Sequence, residues 1–412
     1  MLEKVELRSK NLDAYRGIVA DGSLGEIRRL ASKLEGARVA HINATAFGGG
    51  VAEILGSLVP LMRDVGLEAE WQVIAADQEF FNVTKAFHNG LQGMDLPLTE
   101  EMKETWQEYN RRNAAALEGE YDFVIIHDPQ PAGLLHFHGR GRAKHWIWRS
   151  HIDTSHPNPE YWDFVTPFLR AYDAGVFSMS QYVGEGLNFD HLAIIHPSID
   201  PLSRKNRPMR RTRAKKIVLG LGVDTDRPVM TQVSRYDPWK DPLGVIDAYR
   251  IVKSSVPDLQ LVLMASMAND DPEGWEYLRL TQEHAGNDPD THVLSFQRNN
   301  DLEVNALQTF CDVVVQKSVR EGFGLVVTEA MWKGQAIVGG NVGGIPLQVI
   351  DGENGFLVGS VEECAEKVLY LLRSRKQAKA MGAMAKEHVR RNFLTPRHLR
   401  DYLLLLDKIV GR

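Results

Sequence analysis

The stretch DVVVQKSVREGFGLVVTEAMWKGQAIVGG (312–340) decides the fold. Residues 312–318 form a short apolar run rich in valine that turns polar at its end, which reads as a buried strand. Gly322-Phe323-Gly324 then breaks the chain, a helical pattern follows, and residues 336–340 form a second short apolar run. A strand, a helix and a strand in so short a span is the crossover unit of a parallel sheet.

The same alternation extends in both directions. On the N-terminal side of this half, 227–235, 259–266 and 292–296 read as strands with helical patterns between them. The first half repeats the layout, with strands at 37–45, 71–75, 121–128, 145–151 and 174–180. After its first strand come Gly48-Gly49-Gly50 and an amphipathic segment, 51–66, with Val51, Leu55, Leu58 and Met62 at helical spacing. Ser180 is a candidate helix N-cap, and 99–118 and 360–409 carry long helical patterns. The class is therefore α/β, with a parallel sheet covered on both faces in each half.

The chain is 412 residues long, more than a single core of ~250–300 residues accommodates, so two domains are expected. The seam lies near 196–216, a run with three prolines and eight basic residues (Arg204, Lys205, Arg207, Arg210, Arg211, Arg213, Lys215, Lys216). No aromatic residue is interleaved there to stack on bases, so it reads as a solvated linker and helix start rather than a nucleic-acid patch. The boundaries drawn are 1–204, 205–393 and a C-terminal helix, 394–412, that returns to the first domain. The formal charge of −6 argues against blanket phosphate neutralisation. Two cysteines cannot build a disulfide framework or a four-cysteine zinc site, and the first thirty residues hold no apolar core of signal-peptide length. No apolar run reaches the ~20 residues that span a bilayer. A cytoplasmic protein without nucleic-acid or membrane partners is expected.

Polar clusters fall at the carboxyl ends of the strands, where doubly wound sheets bind ligands. They are His127-Asp128, His151, Arg235, Lys317 to Glu321, and Gly343-Gly344. Gly48-Gly49-Gly50 lets backbone N–H groups approach an anion at a helix start, although a tight turn explains it equally well alone. Arg235 and Lys240 bracket a strand end and a helix start, as two cations around a diphosphate would. On one continuous helix Glu321 and Glu329 would lie ~12 Å apart and ~80° around the axis, so they would not share a face. The Gly322–Gly324 break places Glu321 on a loop and Glu329 in the next helix, touching different parts of one ligand. Without such a role, Glu329 would be an ordinary surface helix residue. Asp224-Thr-Asp226 precedes a strand and reads as a turn, and His136-Phe-His138 has no third ligand at sensible spacing. No metal site is expected.

Taken in order, Ser234-Arg235 with Lys240, Glu321-Gly-Phe-Gly with Glu329-Ala, Asn341-Val-Gly-Gly-Ile-Pro and Asp351-Gly-Glu-Asn-Gly355 resemble the retaining nucleotide-sugar glycosyltransferases of family 4. Gly48–Gly50 matches the glycine loop of that family, and the resemblance spans roughly 37–410. It implies the GT-B fold: two facing Rossmann-like domains with the active site in the cleft between them, closing on substrate. A narrower resemblance rests on His151-Ile-Asp153-Thr-Ser155, Pro157-Asn-Pro159-Glu160 and Trp162, with Gln316-Lys-Ser-Val-Arg and Met331-Trp-Lys. These are similar to the archaeal trehalose glycosyltransferring synthase and trehalose phosphorylase subgroup.

The resemblance implies a retaining glucosyltransferase that joins UDP- or ADP-glucose to free glucose, reversibly, giving trehalose. Its alternatives are a phosphorylase using inorganic phosphate, or another family 4 sugar transferase. Arg235 and Lys240 would hold the donor diphosphate, and Glu329 the ribose. Glu321 would contact the donor hexose, with the Gly322-Phe323-Gly324-Leu325 backbone against sugar and phosphate. Arg298 would lie near the base, and Gly48, Gly49 and Gly50 would complete the donor side. His151 and Asp153 would face the sugars, while Asn43, Asp128 and Gln130 would line the acceptor side. Glu321, His151, Arg235 and Lys240 carry the expected chemistry. No cofactor is required; Mg2+ has a place only as a counter-ion to the nucleotide. The partners implied are nucleoside diphosphate glucose, glucose and trehalose, and a homodimer is left open.

Overall fold

A computed structural model describes residues 2–47, 49–266, 272–297 and 299–411. The chain forms two compact units, one of residues 1–198 together with 395–412 and the other of 199–394.

The first unit holds strands β1 (Glu3–Lys4), β2 (Arg38–Asn43), β3 (Glu68–Val73), β4 (Tyr121–His127), β5 (Ala143–Arg149), β6 (Ala174–Phe177) and β7 (His191–Ile194). Their order in the sheet is β1-β3-β2-β4-β5-β6-β7. All pairings are parallel except β1 with β3. Residues 123–127 of β4 are buried without alternation, so the sheet is covered on both faces. One group of helices (Ser23–Ala31, Gly49–Asp64 and the C-terminal Thr395–Val410) packs together. A second (Gln78–Leu91, Glu100–Ala115, Pro159–Leu169) is joined through Phe87, Trp106, Tyr161 and Phe164, whose rings meet at 5.2–5.8 Å.

The second unit holds β8 (Val229–Val233), β9 (Gln260–Ser266), β10 (Thr291–Phe296), β11 (Val313–Gln316), β12 (Ile337–Gly340) and β13 (Gly355–Val358), ordered β10-β9-β8-β11-β12-β13. Every pairing is parallel. Numbered within the unit this is 3-2-1-4-5-6, the order of a Rossmann sheet, which reverses between β8 and β11. The core combines Met230, Leu261, Leu263, Val313 and Val338 with Tyr249, Val252 and Val368 from the covering helices.

Three strands escape the apolar-run reading, each for a reason visible in its burial. β1 is two exposed residues, β7 alternates buried with exposed, and β13 is half-buried at the sheet edge. Ser180 caps no α-helix: it opens a one-turn 3-10 helix, Ser180–Tyr182, whose N-cap is Met179. The pattern over 360–409 resolves into three helices, Val361–Arg373, Arg375–Asn392 and Thr395–Val410. Among the described residues no helix is long and apolar enough to cross a membrane.

Candidate functional site

In the second unit the cation-bearing segments leave the carboxyl ends of β8 and β11, adjacent strands at the reversal point. After β8, the Asp237 carboxylate accepts from the amides of Trp239 and Lys240 at 3.0 Å each and caps the turn Pro238–Lys240. That turn delivers Lys240, whose Nζ lies 2.7 Å from Glu321 Oε2 with both side chains largely buried. Ser318 Oγ donates to the same oxygen at 3.3 Å. Arg235 pairs with Asp237 Oδ2 at 3.1 Å, and 64% of its side chain remains exposed. Lys317 pairs with Asp241, whose left-handed backbone (φ +49°) caps the helix Pro242–Lys253. Lys240 and Glu321 are thus brought together, with Arg235 on the solvent side of the same turn.

Glycine is required in the loop that follows. Gly324 has φ +83° and opens the helix Leu325–Trp332. The second glycine pair serves close approach: a Cβ on Gly344 would sit 2.7 Å from Phe323 Cα and 2.9 Å from Gly322 O. Gln348 stitches the two loops, its Nε2 donating to Phe323 O at 2.5 Å and to Gly344 O at 3.2 Å. The Gly322–Leu325 backbone is therefore braced from behind by the 341–348 segment.

Glu329 is not the ordinary surface helix residue it would be without a role. It is 1% exposed, with Oε1 3.3 Å from Lys205 Nζ, while Oε2 has no hydrogen-bond partner among the described residues. Lys205 therefore corrects the reading of 196–216 as a wholly solvated run, since its side chain is only 16% exposed. The neighbouring backbone is tied down too: Asn305 Nδ2 donates to the carbonyls of Arg204 and Arg207 at 3.0 and 2.9 Å. Each of the two carboxylates, Glu321 and Glu329, thus has its own lysine. Arg298 and Gly48 lie outside the described residues.

In the first unit the sheet order reverses at β2 and β4, and the candidates again follow these strands and β5. Gly49 (φ +76°) opens the helix Gly49–Asp64, and Gly50 lies in its first turn. Asn43 is engaged within the protein, accepting from Trp71 Nε1 at 2.6 Å and donating to Thr45 O at 2.8 Å. Asp128, at φ +64°, accepts the His151 amide at 2.7 Å, so these two meet. Withdrawal from water pushes the Asp128 carboxyl up to about 7. Asp153 accepts from the Ser155 amide and hydroxyl at 2.9 and 2.5 Å, and the Gln130 carbonyl accepts from Asn110 Nδ2 at 3.0 Å.

Behind His151 stands a chain that the sequence reading did not assemble. His127 Nδ1 lies 2.9 Å from His151 Nε2, His127 Nε2 lies 3.0 Å from His41 Nδ1, and His41 Nε2 lies 3.4 Å from Met62 Sδ. Burial holds His41 down at about 3, and His127 and His151 well below the usual imidazole range. Arg149, wholly buried beside them, reaches Ser178 Oγ at 3.3 Å. A position at a strand end marks His127, but nothing local pairs it with residues 86 positions away. Among the described residues no group of three or more His, Cys, Asp or Glu is placed to hold a metal ion.

Comparison with known proteins places this chain in a family. Residues 41–184 match the family described as "Trehalose synthase, N-terminal domain", and residues 215–388 match "Glycosyl transferases group 1". A trehalose synthase of Rubrobacter xylanophilus is 52% identical over 100% of both chains. One from Thermococcus litoralis is 50% identical over 97% of each. A trehalose phosphorylase of Pleurotus pulmonarius is 26% identical over 92% of this chain and 58% of its own. Among solved structures, a UDP-forming α,α-trehalose-phosphate synthase from Burkholderia xenovorans superposes with a TM-score of 0.73 at 15% identity, covering 92% of this chain and 100% of that one. The fold is that of the GT-B glycosyltransferases.

Proposed function

The chain belongs to the trehalose synthase family of glycosyltransferases, and from that premise we propose that it is a retaining glucosyltransferase forming trehalose, reversibly, from UDP- or ADP-glucose and free glucose. The observation that carries the nucleotide side of this reading is the state of Glu329. A buried carboxylate oxygen without a donor is costly, about 1–3 kcal/mol, and a ribose hydroxyl would satisfy Oε2 once its covering shifts. A phosphorylase, working with inorganic phosphate, has no ribose to bind there.

In this reading Lys240 and Arg235 face the diphosphate, where negative charge grows as the glycosyl–phosphate bond breaks, and fixed cations stabilise it as it forms. The Lys240 ammonium is neutralised by Glu321 at 2.7 Å. When the diphosphate binds, the ammonium is shared, and Glu321 is freed to take a hydroxyl of the donor glucose. A carboxylate nucleophile would need to sit beside the anomeric carbon. We favour instead attack by the acceptor on the face the phosphate leaves, with the leaving phosphate taking the proton. Asp128, His151 and Asp153 are assigned to the sugars. No cofactor enters the scheme; Mg2+ would serve only as a nucleotide counter-ion.

Incubation with UDP-glucose or ADP-glucose plus glucose, followed by product chromatography, tests the assignment. Trehalose and free nucleoside diphosphate in equal amounts are expected. A different disaccharide, or trehalose formed only from glucose 1-phosphate, would overturn it.

A further inference from the structure

We infer that Met62, His41 and His127 form a buried chain that holds His151 as a neutral imidazole protonated on Nε2, leaving Nδ1 as a hydrogen-bond acceptor for a sugar hydroxyl. The identity of the sugar rests on the function proposed above; the tautomer does not.

Three imidazoles and one thioether stand in series, at 3.4, 3.0 and 2.9 Å. A neutral imidazole has one N–H donor and one bare nitrogen, so three in a row must all point the same way. The thioether at the end sets the direction, because sulfur there can accept but has no proton to give. His41 must then carry its proton on Nε2, toward Met62. Its bare Nδ1 accepts from His127 Nε2, and the bare His127 Nδ1 accepts from His151 Nε2. The reverse polarity would place the His41 lone pair against the sulfur lone pairs and leave a buried nitrogen unbonded. An unmade buried hydrogen bond of that kind corresponds to roughly a five- to hundredfold bias against that arrangement.

The groups around His151 keep the ring neutral. Burial disfavours an imidazolium there, the Arg149 guanidinium on the preceding strand acts against it as well, and His41 and His398 of the C-terminal helix, both buried and held neutral, bring no charge that would favour it. Asp128 meets His151 through the backbone amide, not through the ring. Among the described residues the ring makes no protein hydrogen bond besides that to His127, so Nδ1 is left to a ligand. A bare Nδ1 selects by chemistry. A sugar hydroxyl donates to it, whereas an ionised phosphate oxygen, which only accepts, meets a lone pair. Met62, His41 and His127 are thus positioning residues that act through His151.

The test uses the full chain labelled with 15N-histidine and read by long-range 1H–15N correlation without ligand, with single histidine substitutions for assignment. His41, His127 and His151 should all show the Nε2-protonated pattern, and none should titrate between pH 6 and 8. His151 protonated on Nδ1, or titrating in that window, would overturn the inference. Met62→Leu keeps the volume and removes the acceptor. In it His151 should become a mixture of tautomers, and kcat for trehalose formation should fall about two- to fivefold with KM for the nucleotide sugar unchanged. An unmixed His151 in Met62→Leu would equally count against the chain. The spectra need no substrate, so a product other than trehalose would refute the function and leave this inference to stand or fall by itself.

Discussion

Asp128→Asn should change how stability depends on pH, and the size of the change follows from the site. Asp128 sits at φ +64°, a conformation that asparagine tolerates nearly as well as aspartate. An asparagine oxygen would still accept the His151 amide, now at 2.7 Å. What disappears is the proton. The wild-type carboxyl is raised from 3.8 to about 7 because burial disfavours the carboxylate. A raised carboxyl binds its proton more tightly in the folded chain than in the unfolded one. Its contribution is therefore fully present below 3.8 and is lost as pH climbs through about 7. At ~1.4 kcal/mol per pH unit the ceiling is about 4 kcal/mol. Asp128 is only half-buried as a residue, and that exposure brings the expectation to about 2 kcal/mol. Urea unfolding from pH 4 to 8 should show Asp128→Asn gaining on wild type by that amount, nearly all of it before pH 8. Parallel pH profiles for the two proteins would refute the reasoning.

Lys240→Met should lower kcat roughly 10–100-fold through the lost charged hydrogen bond; an unchanged rate at saturating nucleotide sugar would remove Lys240 from the diphosphate site. Arg235→Ala, at an exposed position, should fold normally and lose about 10-fold or more in rate, checked by thermal unfolding beside initial rates. Glu329→Gln should act mainly through weaker nucleotide binding, read by calorimetric titration with UDP; equal affinity for UDP would speak against the ribose contact. Gly344→Ala forces a Cβ to within 2.7 Å of Phe323 Cα, so it should displace the Gly322–Leu325 loop and abolish most activity while the far-UV spectrum is retained. An active Gly344→Ala enzyme would show that the loop is not braced there.

Much of this protein is written locally. Runs such as VVV at 313–315 and the β4 sequence around Phe123–Ile126 cannot be exposed, and glycine breaks separate them from helical periods. Parallel strands and their carboxyl-terminal clusters follow from that pattern alone. The break at Gly324 and the placement of Arg235 and Lys240 just after β8 were equally legible, because each lies within a few residues of a strand end. Strands β1, β7 and β13 were not, since a half-wet edge strand carries no continuous apolar signal.

What the tertiary structure alone decided is partnership across sequence distance. The sequence places Glu329 in a helix and its family resemblance gives it a ribose, but nothing local pairs it with Lys205; only the fold buries Glu329 and brings the Lys205 ammonium to within 3.3 Å. His41 sits in the middle of a strand, Met62 on a helix and His127 at a strand end. Only the parallel register of β2 and β4, and the packing of the helix 49–64, set them in line behind His151. Hydrophobic periodicity fixes which face of an element is buried, but not which buried polar group it will meet. That pairing depends on register and helix placement, which are properties of the whole unit, and so does the proton on His151.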